Sequence, residues 1–291
     1  MKLARTGPRG QETPIALHAD GRWRNIASLV GDIAPEVLSP QRLQSLQHAL
    51  QQPGGAALPV VEPGRYGLPW LGCGKFVGVG LNYADHAAEA GLPIPTEPIL
   101  FTKHTCCMVG ANDAVVILQD ARKCDWEVEL GVVIGQRARY VSEAEALSYV
   151  AGYCVVNDVS EREYQMERNG TWDKGKSCDT FGPVGPWLVT ADEVPDPQAL
   201  DLWLNVNGQR FQRGSTATMV FGVAQLVSYI SRFTTLYPGD VIATGTPPGV
   251  GMGVKPQPIY LKPGDEMHLG VSGLGEQRQR VHAWNERLLD A

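Results

Sequence analysis

A chain of 291 residues with 43% hydrophobic and 19% charged residues can bury a sizeable core, and this composition excludes a mainly disordered state. A net charge of −6 argues against a dedicated nucleic-acid surface, and no apolar run approaches the roughly 20 residues of a membrane helix. Residues 1–8 carry no apolar stretch of the signal-peptide kind, so a cytoplasmic location is expected.

Taken in chain order, residues 13–18 read as a weak strand. Within 40–50, Leu43, Leu46 and Leu50 recur three to four apart, which suits a short amphipathic helix. The linker-like run 51–57 marks a composition break. We read a small N-terminal α/β domain, 1–70, and a main domain, 71–291. Buried strands are expected at 75–81, 127–134 and 153–158, and helices near 84–90, 142–151, 160–168 and 217–231. Asn207-Gly208 between two alternating runs predicts a two-residue hairpin turn. Leu-x-Pro-Gly-Asp occurs at 236–240 and again at 261–265, each Pro-Gly fitting a type II turn into a strand. The sum is a mixed, β-rich α+β fold, antiparallel for the most part. The six cysteines (Cys73, Cys106, Cys107, Cys124, Cys154 and Cys178) form no Cys-x-x-Cys pair and read as reduced thiols.

Four motifs carry possible chemistry. Side chains alternate along a strand, so Glu127 and Glu129 point the same way, with Asp125 as a further candidate. Asp158 closes a second apolar strand. Carboxylates at the ends of buried strands suit a hard cation such as Mg²⁺ or Mn²⁺, whereas a solvated strand face is the plainer reading of Glu-x-Glu alone. His86 and Glu89 stand i, i+3 on one helix face, where a carboxylate orients an imidazole; an exposed ion pair would look the same. Gly78-x-Gly80 lacks the third glycine and the βαβ unit of a dinucleotide site. Lys176 lies in a polar turn without phosphate-loop spacing, and 243–251 is a glycine-rich loop able to bring backbone N–H groups to a ligand.

Together these motifs form an ordered series: Asn82-Tyr83-x-x-His86-x-x-Glu89, Glu127-x-Glu129, Asn157-Asp158-x-Ser160-x-Arg162-x-x-Gln165, Lys176-Ser177-x-Asp179-Thr180, and Thr244-Gly245-Thr246-Pro247-x-Gly249-Val250-Gly251. The series resembles the fumarylacetoacetate hydrolase family over roughly 70–285. The N-terminal appendage is similar to that of longer bacterial members, including those hydrolysing 2,4-diketo-3-deoxy sugar acids. The resemblance implies a β-roll fold, a homodimer, and Mg²⁺ (with Mn²⁺ as the alternative) held by Glu127, Glu129 and Asp158. It implies a water-activating dyad, His86 and Glu89, on a mobile lid. It further implies an enolate-stabilising Lys176 and substrate contacts from Arg162, Gln165 and Thr246. The expected activity is metal-dependent hydrolysis of the C3–C4 bond of a small-molecule 2,4-dioxo acid to pyruvate and a second acid. The expected substrate is 2,4-diketo-3-deoxy-L-rhamnonate or -fuconate. Oxaloacetate decarboxylase and dienoate isomerase or hydratase are the alternatives on the same scaffold, and the dyad would be superfluous in a non-catalytic binding module. Two departures, Cys178 within Lys-Ser-x-Asp-Thr and His104-Thr105-Cys106 after Lys103, are expected to reshape the substrate pocket.

Overall fold

The structure is a computed structural model and describes residues 1–289. Its architecture is mixed α+β and rich in sheet. The larger sheet runs, neighbour by neighbour, through Val60–Val61, Trp23–Asn25, Thr13–Leu17, Lys2–Thr6, Gly182–Thr190, Val150–Asn157, Val128–Ile134, Val241–Ala243, Phe76–Gly80 and Ile99–Lys103. Met108–Gly110 adds to it in parallel beside Gly182–Thr190. Residues 1–70 thus supply four strands at one edge, together with the helix Pro40–Gln51.

The central strands Val128–Ile134 and Val150–Asn157 are buried along their whole length. Both faces are covered, which is why these strands read as continuous apolar runs. Val128, Leu130 and Val132 pack on one face against Leu202, Leu204, Met267 and Leu269 of a second sheet. On the other face Val133, Cys154 and Val156 pack with Leu43, Leu46 and Leu50 of the N-terminal helix. The second sheet is ordered Gln209–Ser215, Asp201–Val206, Glu266–Val271, Gly275–His282 and Val115–Val116. Asn207 and Gly208, with φ of 51° and 80°, form its two-residue turn. Gly239 and Gly264 take positive φ, 89° and 99°, just before the strands they lead into. Among the described residues no helix is long and apolar enough to cross a membrane.

Three helical expectations change. Residues 142–151 contain only the 3₁₀ turn Ala146–Tyr149, because Val150 already pairs with Ile134 in the central ladder. In 160–168, Ser160–Glu161 pairs with Cys124–Asp125, and a single π-helical turn, Glu163–Glu167, follows. The stretch 217–231 begins as the 3₁₀ turn Thr216–Thr218, and its helix, Val223–Phe233, starts only after Gly222.

Candidate active site

The ladder between the two central strands aligns Val128 with Asn157, and the Asp158 N–H donates to the Glu127 carbonyl at 2.9 Å. Glu127, Glu129 and Asp158 therefore converge at one end of the sheet. Each offers a carboxylate oxygen within 4.8 Å of the others, and all three are buried. Asp125, a further candidate, does not join them. Its carboxylate accepts from the Gly251 and Met252 N–H groups at 2.6 and 3.0 Å and from Arg162 Nε at 2.8 Å. It fixes the loop 244–251 and an arginine rather than the cluster.

Charge balance decides what this cluster can hold. Lys176 Nζ bridges Glu127 Oε2 at 2.6 Å and Asp158 Oδ2 at 2.8 Å. Lys103 Nζ stands 2.6 Å from Asp158 Oδ1 with no exposure at all. Arg162 Nη2 donates to Glu127 Oε1 at 2.7 Å, and its Nη1 to Gln165 Oε1 at 3.0 Å. Burial alone would raise the Glu127 carboxyl, but the charges of Lys176 and Arg162 outweigh it and hold the group well below the usual range. Glu129 goes the other way. Burial, then the charges of Asp158 and Glu127, push its carboxyl well up, and its bond is from the Gly245 N–H at 2.8 Å. Four buried acidic groups, Asp125 included, face three cations, and Glu129 is the one without an ion pair among the described residues, so its ionised form has nothing to balance it. A buried unpaired anion is costly, and an all-carboxylate oxygen set is what Mg²⁺ or Mn²⁺ prefers. These residues fit a divalent cation.

The segment expected to form a lid lies across from the cluster. Helix Ala84–Ala90 ends on Gly91 in the left-handed region. His86 Nδ1 lies 3.0 Å from Glu89 Oε2, and Glu89 accepts the Gly249 N–H at 3.0 and 3.2 Å. The dyad is thus tied to the loop after Val241–Ala243, the same loop that brings the Gly245 N–H to Glu129. One cavity of about 400 Å³ is lined by His86, Glu89, Glu127, Glu129, Arg162, Gln165, Lys176 and Thr246. Asp158 lies behind Lys176 with no exposure. Thr246 Oγ1 donates to the Val128 carbonyl at 2.9 Å and accepts from Gln212 Nε2 at 2.8 Å, so its hydroxyl is held by the protein. Gln165 uses its Oε1 on Arg162, which leaves its amide NH₂ to donate to a ligand.

Several members of the site were not anticipated. Lys103 closes the strand Ile99–Lys103 after Ile99, Leu100, Phe101 and Thr102, and that lysine was the only signal of it. Phe101 and Trp172, with ring centroids 5.5 Å apart, wall the cavity. A Cβ on Gly80 would fall 2.5 Å from the Trp172 ring, so this glycine gives room to an aromatic wall rather than to a phosphate. The two departures noted in the sequence do not line the cavity: neither Cys178 nor His104, Thr105 and Cys106 belongs to its wall. Burial pushes the Cys178 thiol up to about 12, so it stays an unreactive neutral group.

Comparison with known proteins agrees with this fold. The model of the fumarylacetoacetate hydrolase family, C-terminal part, matches residues 75–282. A relative from Burkholderia multivorans, named as a hydrolase, is 60% identical over 288 residues, covering 97% of this chain and 99% of its own. The fumarylacetoacetate hydrolase of Exiguobacterium antarcticum superposes with a TM-score of 0.82 at 33% identity, covering 98% of this chain and 100% of that one. The maleylpyruvate hydrolase of Sphingobium sp. SYK-6, solved with manganese(II) and pyruvate, superposes with a TM-score of 0.80 at 26% identity and the same coverage. The chain therefore belongs to the fumarylacetoacetate hydrolase family.

Proposed function

We propose that this protein hydrolyses the C3–C4 bond of a 2,4-dioxo acid, releasing pyruvate and a second carboxylic acid. The observation that carries the reading is the meeting, across one cavity, of a buried three-carboxylate cluster and a hydrogen-bonded histidine–glutamate pair. The Sphingobium relative, solved with manganese(II) and pyruvate, supports a divalent cation and a pyruvate-shaped product.

Glu127, Glu129 and Asp158 would hold Mg²⁺ or Mn²⁺, which when bound supplies Lewis-acid stabilisation of charge on the keto-acid oxygens. The remaining chemistry belongs to side chains. The Glu89 carboxylate fixes the imidazole proton on Nδ1 of His86 and leaves Nε2 as the base. His86 takes a proton from a water that attacks the C4 carbonyl. Collapse of the tetrahedral adduct breaks C3–C4, and the electron pair moves onto the pyruvate enolate. The Lys176 ammonium stands where that charge develops, and the Gln165 amide offers a neutral donor. The protonated His86 then returns its proton as C3 becomes the methyl group of pyruvate.

The test is pyruvate release from a panel of 2,4-dioxo acids, in Mg²⁺ or Mn²⁺ and in excess chelator. Metal-dependent release supports the reading. No release from any member of the panel, in either metal, overturns it.

A further inference from the structure

The two ends of the cavity differ in chemistry. At the inner end each cation is already engaged with a carboxylate. Toward the mouth the wall is apolar, built from Leu92, Met166, Trp172 and Met252 with Phe101 beside them. Leu92, Met166 and Met252 are 48%, 51% and 39% exposed, which places them at the opening.

Three cations line this cavity. Arg162 is bonded to Asp125 and Glu127, and Lys176 to Glu127 and Asp158. The third, Lys255, is exposed and forms no ion pair among the described residues. It sits two residues beyond Gly253, against which the lid carboxylate of Glu89 packs. Lys123 and Arg168, which do not line the cavity, are paired with Glu167 and Glu163. Lys255 is thus the unspent positive charge at the mouth.

We infer that Lys255 is a specificity-determining residue that binds an anionic group, a carboxylate, at the far end of the substrate. The inference rests on the proposed function, in that the keto-acid end lies at the carboxylate cluster. The preferred substrate is then a 2,4-dioxo acid with an apolar middle and a terminal carboxylate. The polyhydroxylated tail of a sugar acid would press its hydroxyls against leucine, methionine and tryptophan, where they lose water without gaining partners. A tail of methylene or unsaturated carbons meets those walls without that cost and delivers its carboxylate to Lys255.

The test uses Mg²⁺-loaded protein and two uncleavable probes, 2-oxoheptanedioate and 2-oxoheptanoate, with affinity read by calorimetry. Wild type should bind the diacid about 3- to 10-fold more tightly, as for an ion pair in a partly exposed site. That preference should shrink as salt is raised. Lys255→Met keeps the apolar stem and removes the charge, so it should abolish the preference while leaving monoacid affinity unchanged. Lys255→Arg should retain it. No preference in wild type, or the same preference in Lys255→Met, overturns the inference. Because the readout is binding, protein that shows the preference but cleaves no acylpyruvate refutes the hydrolytic reading and leaves the role of Lys255 standing.

Discussion

A methyl group on Gly253 would lie 2.8 Å from Glu89 Cδ and 3.0 and 3.1 Å from its two carboxylate oxygens. Gly253 closes a 3₁₀ turn through its N–H to the Val250 carbonyl, and the Gly249 N–H of the same loop donates to Glu89. The dyad is therefore set by backbone from outside its own helix. Gly253→Ala should displace Glu89 from His86 and lower kcat about 10- to 100-fold, as expected when a catalytic group shifts by an ångström or so. The thermal midpoint should barely move, since Gly253 lies in a half-exposed turn. Steady-state kinetics on an acylpyruvate decides it, and an unchanged kcat would mean that the loop yields instead.

His86 itself is the sharper test of hydrolysis. His86→Ala should lower kcat by about 10²–10⁴-fold for loss of a general base, with little change in KM. Glu89→Gln should cost less, because it keeps the shape and loses the charge that raises the basicity of the imidazole. A decarboxylase needs no attacking water and would tolerate both. Near-normal turnover by His86→Ala would remove water activation from the account.

Glu129 separates a metal ligand from a structural charge. In the metal-free protein it is a buried carboxyl without an ion pair, its ionisation disfavoured by burial and by Asp158 and Glu127, so the neutral Glu129→Gln should leave the apo thermal midpoint unchanged or raise it. In the presence of Mg²⁺ or Mn²⁺ the order should reverse. Wild type gains a midpoint shift that the variant lacks, and the variant's metal affinity falls by at least about 10-fold. Thermal scans with and without metal give both readings. Equal metal-induced shifts in the two proteins would exclude Glu129 as a ligand.

The sequence made some of these relationships legible and hid others for physical reasons. Glu127, Glu129 and Asp158 could be found because strand alternation and the ends of apolar runs are local signals, and the i, i+3 spacing of His86 and Glu89 is another. The Asn207-Gly208 turn was readable because the conformation demanded there is specific to those residue types. The charge partners were not. Whether Asp125 faces the cluster or caps Gly251 depends on where a loop 126 residues away returns, and nothing near Asp125 encodes that. The helix expected at 142–151 failed for a similar reason: Val150 and Ala151 look helix-compatible alone, but Val150 pairs with Ile134 in the central ladder and both residues are buried there.

Lys103 shows what that non-local information costs when disturbed. Burial would depress its pKa, but the Asp158 charge 2.6 Å away outweighs this, so the ammonium stays charged with no exposure to water. Removing one partner of a buried pair leaves the other uncompensated. Lys103→Met should destabilise the metal-free protein by about 3–5 kcal/mol, measured by denaturant unfolding. Mg²⁺ should restore part of the loss by giving Asp158 another cation. A change under about 1 kcal/mol would mean that Lys176 alone balances Asp158.

The join between the N-terminal strands and the rest of the chain should show its own pH dependence. Arg65 bridges Glu12 at 2.9 Å and Asp113 at 2.7 Å, and Arg5 lies 3.4 Å from Glu12. Burial would raise the Glu12 carboxyl, but the Arg65 hydrogen bond and the charges of Arg5 and Arg65 outweigh it and hold the group below its ordinary 4.5. A carboxyl whose folded pKa is depressed binds protons more readily when unfolded, so it stabilises the fold at pH values above its unfolded pKa. That contribution falls away as pH drops from about 4.5 through the lower folded value. Glu12→Gln should therefore lower the thermal midpoint at neutral pH, and the gap to wild type should narrow steadily below about pH 4.5. Comparing the two proteins at each pH cancels the titration of every other carboxylate. A gap that stayed constant down to pH 3 would assign the loss to shape rather than to the Glu12 charge.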